Sequence, residues 1–240
     1  MLRFISTAII GSAIFASISS SYSAPNPVGD SDSFGRSVIY LGLAGTPNIV
    51  FKTNCAVSPP PAPARCVTMG AQPALTGFAE NKLATLTIPA KSTHSLVCFA
   101  LTPSVNFQFH NQTGVAQPTA RFGARPTIVL ENELLNDPAL IDPTTGAPFN
   151  GRISSSIVTF MESRSLAVNE RDLKQLFMSR DCIEGLISRR VLQDVYGLPT
   201  AIVDDFFKHD ITLTFGAVGE VQLVSNATYY FGIRLYGDAP

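Results

Sequence analysis

Two acidic side chains open the search for chemistry. Glu131 and Glu133 flank Asn132 at the end of an apolar stretch, Pro126–Leu130, that reads as a strand. Residues two apart on an extended backbone face the same side, so both carboxylates are expected to point one way. Carboxylates paired in this manner can divide general-acid and general-base work on a glycosidic bond, which makes Glu131 and Glu133 the candidate catalytic residues. The competing explanation is charge placed at a sheet edge to discourage strand addition. Turn formers crowd the next stretch, residues 132–152, which contains Asn136-Asp-Pro, Asp142-Pro-Thr-Thr-Gly and Pro148-Phe-Asn-Gly. A long loop is expected there, and long loops within compact domains are commonly functional or mobile.

The second constellation is Asp205 with His209. Four residues apart on a helix they share one face, and together they would supply half of a metal site. The same placement suits an imidazolium at a helix C-terminus, where the helix dipole favours positive charge. That placement is the more economical reading, so neither a metal nor a cofactor is expected. Of the other histidines, His94 follows Ser92 too closely to form a nucleophile–base pair and should sit in a solvent-facing turn. His110 closes a strand on its polar face and is expected to be exposed.

Familiar catalytic and nucleotide-binding signatures are missing from the chain. It contains no G-x-S-x-G elbow, no H-E-x-x-H, no G-x-x-x-x-G-K-[ST] and no G-x-G-x-x-G. Lys plus Arg number 17 against 18 Asp plus Glu, so no overall field draws in nucleic acid. Charged residues make up only 15%, well below the roughly one quarter usual in soluble domains. Tryptophan is absent, which leaves tyrosine as the only large amphipathic ring for stacking on a sugar.

The N-terminus reads as a targeting segment. Met1 and Arg3 precede an apolar run from Ile5 to Ile18, and Ser21-Tyr-Ser23 supplies small residues for cleavage after Ser23. The run is shorter than the ~20 residues a membrane span needs, so residues 1–23 are expected to be a signal peptide and the mature chain to carry no span. Residues 24–34 read as a flexible polar leader. Within it, Gly29-Asp-Ser-Asp-Ser33 starts like a calcium loop but lacks the closing glutamate, Leu41 standing in that place. Export implies a secreted or periplasmic protein, and it gives the cysteines Cys55, Cys66, Cys98 and Cys182 a disulfide role. The Pro-rich Ser58–Pro63 favours Cys55–Cys66, leaving Cys98–Cys182 to join a strand to a helix. No C-x-x-C suggests zinc.

The elements that must position these groups are mostly strands. Residues 35–240 are expected to form one disulfide-stapled β-rich domain, a β-sandwich or distorted barrel of about eight to ten strands. A three-strand meander over Ile211–Gly237 would be its wall, turning at Gly216–Gly219 and at Ser225-Asn226, with Tyr229, Phe231 and Ile233 inward. Ser95–Leu101 and Val105–His110 read as a hairpin around Thr102-Pro-Ser104. A helical insertion over residues 169–209 is predicted to cover the sheet, in three parts. The first is capped by Asn169 and carries Leu173, Leu176 and Phe177. The second is capped by Asp181, with Ile183, Leu186, Ile187, Val191 and Val195 inward. The third is capped by Thr200, with Ile202, Val203, Phe206 and Phe207 inward.

These readings converge on an exported, non-catalytic binding or structural module of the cell envelope or extracellular space, with a protein or glycan partner and no nucleic acid. The alternative is a secreted glycoside-active hydrolase using Glu131 and Glu133. A homo-oligomer would use Tyr230 and Tyr236 on the outer face of the last strand. Asn111-Gln-Thr and Asn226-Ala-Thr are glycosylation sequons in a eukaryotic host. Intact mass with and without reductant is expected to show a mature chain starting at Ala24 with two disulfides. Four free thiols would overturn the export argument.

Overall fold

The computed structural model describes residues 36–181 and 187–239. The proposed signal peptide, the leader with its calcium-like run, Cys182, Ile183 and Leu186 therefore lie outside the described residues. The chain is mainly β. Its first strands are β1 (Val38–Gly45), β2 (Ile49–Lys52), β3 (Arg65–Thr68), β4 (Thr76–Ile88), β5 (Leu96–His110) and β6 (Gln117–Glu131). A 3-10 turn at Glu133–Asn136 begins a long connection holding β7 (Ile141–Asp142) and β8 (Ala147–Pro148), followed by β9 (Arg152–Ser156) and β10 (Phe160–Leu166). Next come β11 (Arg171–Phe177), β12 (Arg180–Asp181) and β13 (Ile187–Ser188), then helices α1 (Arg189–Asp194) and α2 (Thr200–Phe206). Strands β14 (Ile211–Gln222) and β15 (Val224–Asp238) complete the described chain.

Two sheets pack as a sandwich. Sheet A runs β11-β5-β15-β2-β3, with β1 also on β15 and β12 and β13 also on β5. Sheet B runs β10-β6-β14-β4, with β9 also on β6. Period-two alternation determines which residues meet between them: Ala227, Tyr229, Phe231, Ile233 and Leu235 of β15 are all buried, as expected. Leu213 and Phe215 of β14 and Phe122 of β6 are buried in the same core from the other sheet. The rings of Phe107 and Phe122 stack between the layers at 4.6 Å. Burying side chains of this size contributes about 1.5–3 kcal/mol each before entropy is charged.

The wall differs from the predicted meander: two long strands replace three short ones. Gly216 and Gly219 lie inside β14, and Ser225-Asn226 inside β15. Gly216 marks a register shift against β4, where a Cβ would stand 2.6 Å from Thr127 Oγ1 and 2.7 Å from Glu80 O. Its glycine answers a close approach of strands, not a turn. The chain instead changes sheets at Leu223, a buried leucine with φ of 55°. Nothing in a leucine announces that conformation, which few non-glycine residues adopt.

Strand β5 is likewise one strand of 15 residues, not a hairpin about Pro103. Proline is tolerated there because the neighbouring edge is broken at that point. β11 pairs with β5 as far as Ser104 and β12 resumes at Leu101, so no partner carbonyl waits for the missing N–H. The Pro103 carbonyl accepts Met178 N–H at 3.2 Å in the gap. Pro126 of β6 repeats the arrangement. β10 pairs up to Ala124, β9 starts at Thr127, and the Pro126 carbonyl accepts Ile157 N–H at 3.0 Å.

The predicted insertion is only partly helical. Residues 171–177 form β11 on the open edge of β5, leaving Leu173 and Phe177 exposed. Asn169, expected as a helix cap, turns the β10–β11 connection with φ of 58°. Three apolar residues at helical spacing were too few to outweigh an available ladder of backbone hydrogen bonds. Asp181 belongs to β12, and α1 starts later, where the Ser188 hydroxyl accepts Val191 N–H at 3.1 Å. On it Leu192 is buried and Val195 exposed, so the expected stripe is displaced. Gly197, with φ of 65°, ends α1 as predicted, its N–H bonding Gln193 O and Leu198 N–H bonding Leu192 O. α2 matches expectation in Val203, Phe206 and Phe207, all buried, although Thr200 is its first residue and not its cap. The Cys55–Cys66 disulfide closes the Pro-rich loop as expected.

The end of β15 is anchored by a buried carboxylate that sequence reading overlooked. Asp238 Oδ1 accepts the N–H groups of His94 (3.1 Å), Ser95 (2.8 Å) and Leu96 (3.2 Å), and the Thr93 hydroxyl lies 2.8 Å away. The Ser95 hydroxyl donates to Oδ2 at 2.7 Å, and Arg36 Nε lies 3.6 Å from it. Burial would push this carboxyl up, but the Ser95 and Thr93 hydrogen bonds outweigh it and hold it below the usual carboxylate range. A depressed folded value stabilises the protein above the unfolded carboxyl's value, and that contribution disappears as pH falls through the folded one. Asp238→Ala is expected to cost roughly 2–4 kcal/mol, since each orphaned buried donor costs about 1–3 kcal/mol and water recovers part. In urea titrations Asp238→Asn should also flatten the loss of stability on acidification below pH ~4. An unchanged acid limb would show that Asp238 is not the group responsible.

Candidate functional site

The 132–152 connection is ordered by its own side chains and by one asparagine at its root. Leu135, Leu140 and Phe149 are buried, and the Phe149 ring meets Tyr196 edge-on at 6.2 Å. Asp142 organises the tip, accepting Thr144 N–H at 2.8 Å and the Thr144 hydroxyl at 2.7 Å. Asn132, also buried, ties the root to the opposite wall. Its Nδ2 donates to Phe206 O at 3.1 Å and Asp210 O at 3.2 Å, while its Oδ1 accepts Leu134 N–H at 3.1 Å. Gly151 closes the base with φ of 80°, where a Cβ would stand 2.5 Å from Asn136 Oδ1.

This arrangement encloses a polar recess of about 610 Å³ between the loop root, the end of α2 and the start of β14. Glu131, Glu133, Lys208, His209 and Asp210 line it. The two sequence candidates, 76 positions apart, meet here: Glu133 Oε1 lies 2.5 Å from His209 Nδ1. The Glu131 side chain is exposed on the same recess and makes no hydrogen bond or ion pair among the described residues. Asp205 turns to another partner, Lys208, at 2.7 Å. That hydrogen bond and the lysine's charge hold the Asp205 carboxyl below its ordinary value. Asp205 and His209 therefore do not converge on one ligand, and no group of three or more metal-ligating side chains occurs among the described residues.

Asp210 and Asn132 were not singled out from sequence. Asp210 Oδ1 accepts Ala90 N–H at 2.7 Å, fixing the recess rim to the end of β4. A lone aspartate after a histidine carries no signal of that role. Asn132 could have been suspected, because a short amide between two acids at a strand end suits an N-cap.

The remaining candidates are dispersed. His94 is exposed as expected, with its N–H on Asp238. His110, expected to be exposed, is buried because β11 covers the end of β5. Its Nε2 lies 3.2 Å from Arg171 Nε, and burial, then the guanidinium charge, push its pKa down. Asn111 is buried, with Nδ2 donating to Val115 O and Ala167 O and Oδ1 accepting from Thr113, so its amide is fully engaged in the fold. Asn226 is exposed on β15. Tyr230 is exposed, whereas Tyr236 is half-buried against Tyr40 at 6.0 Å. Cys98 is not a free thiol. No described helix is long and apolar enough to cross a membrane.

No protein-family model and no curated protein matches the chain. Among solved structures it is similar to a mutant VP2 protein of infectious bursal disease virus in derived T=1 particles, at 10% identity and a TM-score of 0.19. The match covers 72% of this chain and 33% of that one, so the chain spans about a third of the length of the viral protein. A likeness that low carries no argument about fold or function.

Asn132→Ala is expected to remove about 1–3 kcal/mol, because one buried carbonyl, one partly buried carbonyl and one N–H each lose a hydrogen bond. Amide exchange should then quicken across residues 133–151 while β5 and β15 stay protected. Uniform quickening would show that Asn132 serves the whole fold and not the recess wall.

Proposed function

We propose that this chain is an exported, non-catalytic binding module of the cell envelope or extracellular space, and that its ligand enters the recess bounded by Glu131, Glu133, His209 and Asp210. The observation that carries this reading is the character of the recess: polar, open and edged by carboxylates that remain wet. A ligand rich in hydroxyl groups suits such walls, and a glycan chain is the fitting chemistry. Carboxylates accept hydrogen bonds from hydroxyl groups, Lys208 donates, and the Glu133–His209 pair holds the loop root in register with α2. The Cys55–Cys66 bridge supports an oxidising compartment.

A glycoside hydrolase with Glu131 and Glu133 as its carboxylate pair is the second reading, favoured by their sharing one recess. Against it stands exposure. The Glu133 side chain is 71% exposed, whereas a general acid is made by taking a carboxyl out of water. The mature chain should be screened against a polysaccharide panel for retention and for released reducing ends. Retention without new reducing ends is expected, weakened about tenfold by Glu133→Gln through loss of one charge-assisted contact and its His209 partner. Release of reducing ends that Glu131→Gln and Glu133→Gln both abolish would establish the hydrolase instead. No retention of any glycan would remove the proposed ligand class.

A further inference from the structure

Strand β11 forms one free margin of sheet A, pairing with β5 and with no other described strand. Its ladder fixes where each backbone group points. Asn111 N–H donates to Glu170 O at 3.1 Å at one end, and Met178 N–H donates to Pro103 O at 3.2 Å at the other. Bonded and unbonded pairs alternate along an antiparallel ladder. Asp172, Lys174 and Leu176 therefore exchange bonds with Phe109, Phe107 and Val105. The residues between them, Arg171, Leu173, Gln175 and Phe177, aim N–H and C=O away from β5. No hydrogen bond to those outward groups occurs among the described residues.

A row of unpaired peptide groups is a template for another strand, and soluble proteins ordinarily guard it with charge or a bulge. The margins of sheet B follow that rule. β10 presents Glu162, Ser163, Arg164 and Ser165, and β4 is interrupted by a register shift and by Lys82 at φ of 55°. β11 does not follow it. Its pairing runs unbroken over seven residues, with Leu173 72% and Phe177 66% exposed on one face.

The spacing of those two side chains specifies the occupant. They lie four residues apart with Gln175 midway, so the strand is complementary to itself. A second copy running antiparallel, with a two-fold axis at Gln175, sets its Phe177 opposite Leu173 and its Leu173 opposite Phe177. Gln175 meets Gln175. The outward backbone groups are then paired and both apolar side chains are covered. Neighbouring registers fail. An axis at Lys174 sets two like charges directly opposite each other. An axis at Leu173 leaves Phe177 across from the Asn169 turn, and one at Leu176 leaves Leu173 across from Ser179, beyond the strand. In the Gln175 register Lys174 faces Leu176 and keeps its own Asp172 at 3.4 Å.

We infer that β11 is the interface of a homodimer in which two copies of sheet A join edge to edge, antiparallel, with Gln175 on the two-fold axis. Isologous pairing uses up both margins, so the assembly closes at two copies. The contact is short, below the ~1,200 Å² of stable complexes, so the dimer is reversible with a Kd of about 10–100 µM.

Sedimentation equilibrium of the full mature chain, from about 5 µM to about 1 mM, is the test. The average mass is expected to climb from monomer to dimer and stop there. Gln175→Pro removes an outward N–H without touching the β5 ladder, a placement at which a sheet tolerates proline. It should weaken association about tenfold or more, and so should Leu173→Lys, an exposed change that leaves urea unfolding unaltered. On oxidation Gln175→Cys should give a disulfide-linked dimer and Leu173→Cys should not. Two copies of residue 173 would stand roughly 14 Å apart, against the ~7 Å that a disulfide spans between Cα atoms. A monomer at every concentration would overturn the interface, as would mass growing past the dimer or association indifferent to Leu173→Lys and to a folded Gln175→Pro protein. Cross-linking through Leu173→Cys in preference to Gln175→Cys would overturn the register.

Discussion

The antiparallel ladder between β5 and β15, with the Asp238 carboxylate at its end, is the constraint on which the other elements depend. The two strands lie at the centre of sheet A and contribute inner-face residues from Val97 to Phe109 and from Val224 to Leu235. A shift of one residue would turn that apolar set outward, so register must be held firmly. Asp238 does this at the end where β5 begins, gathering consecutive N–H groups of the 93–96 turn onto one oxygen. Gly237 permits the approach, since a Cβ there would stand 2.4 Å from Thr93 Oγ1. The anchor joins residues more than 140 positions apart, so the ends of the described chain are bound into the middle of the sheet.

Prolines in β5 and β6, an inner strand of each sheet, show a related economy. A proline ordinarily excludes itself from a sheet interior because it offers no N–H. Here Pro103 and Pro126 each face a break in the neighbouring edge, and the chain leaving that break returns one N–H to the proline carbonyl. The edge strands are thereby divided, β11 from β12 and β10 from β9. Short, interrupted edges are also poor templates for unwanted strand addition.

The recess at Glu131 exists because Asn132 pins a long loop against the end of α2, so its walls come from segments far apart in sequence. It presents carboxylates, amides and a lysine to water.

Local pattern was sufficient for part of this. The inward set of β15, the apolar side of α2, the glycine end of α1 and the Cys55–Cys66 closure are all readable along the chain, because each depends on residues a few positions apart. The mainly β class follows from the same alternation. Continuity and partnership were not readable in this way. Gly216 and Pro103 looked like turns because the reasons they are tolerated, a crowded neighbour and a broken edge, lie on other strands. Leu173, Leu176 and Phe177 looked helical until β5 offered them an open ladder. At the recess, Glu131, Glu133 and His209 stood out by residue type, while Asn132 and Asp210, which hold the walls, did not. The amino-acid sequence by itself determined which side chains seek burial and which carry charge. Only the tertiary structure decided which of them meet, because hydrogen-bond pairing between distant strands is settled by competition among all available edges and leaves no mark on any one of them.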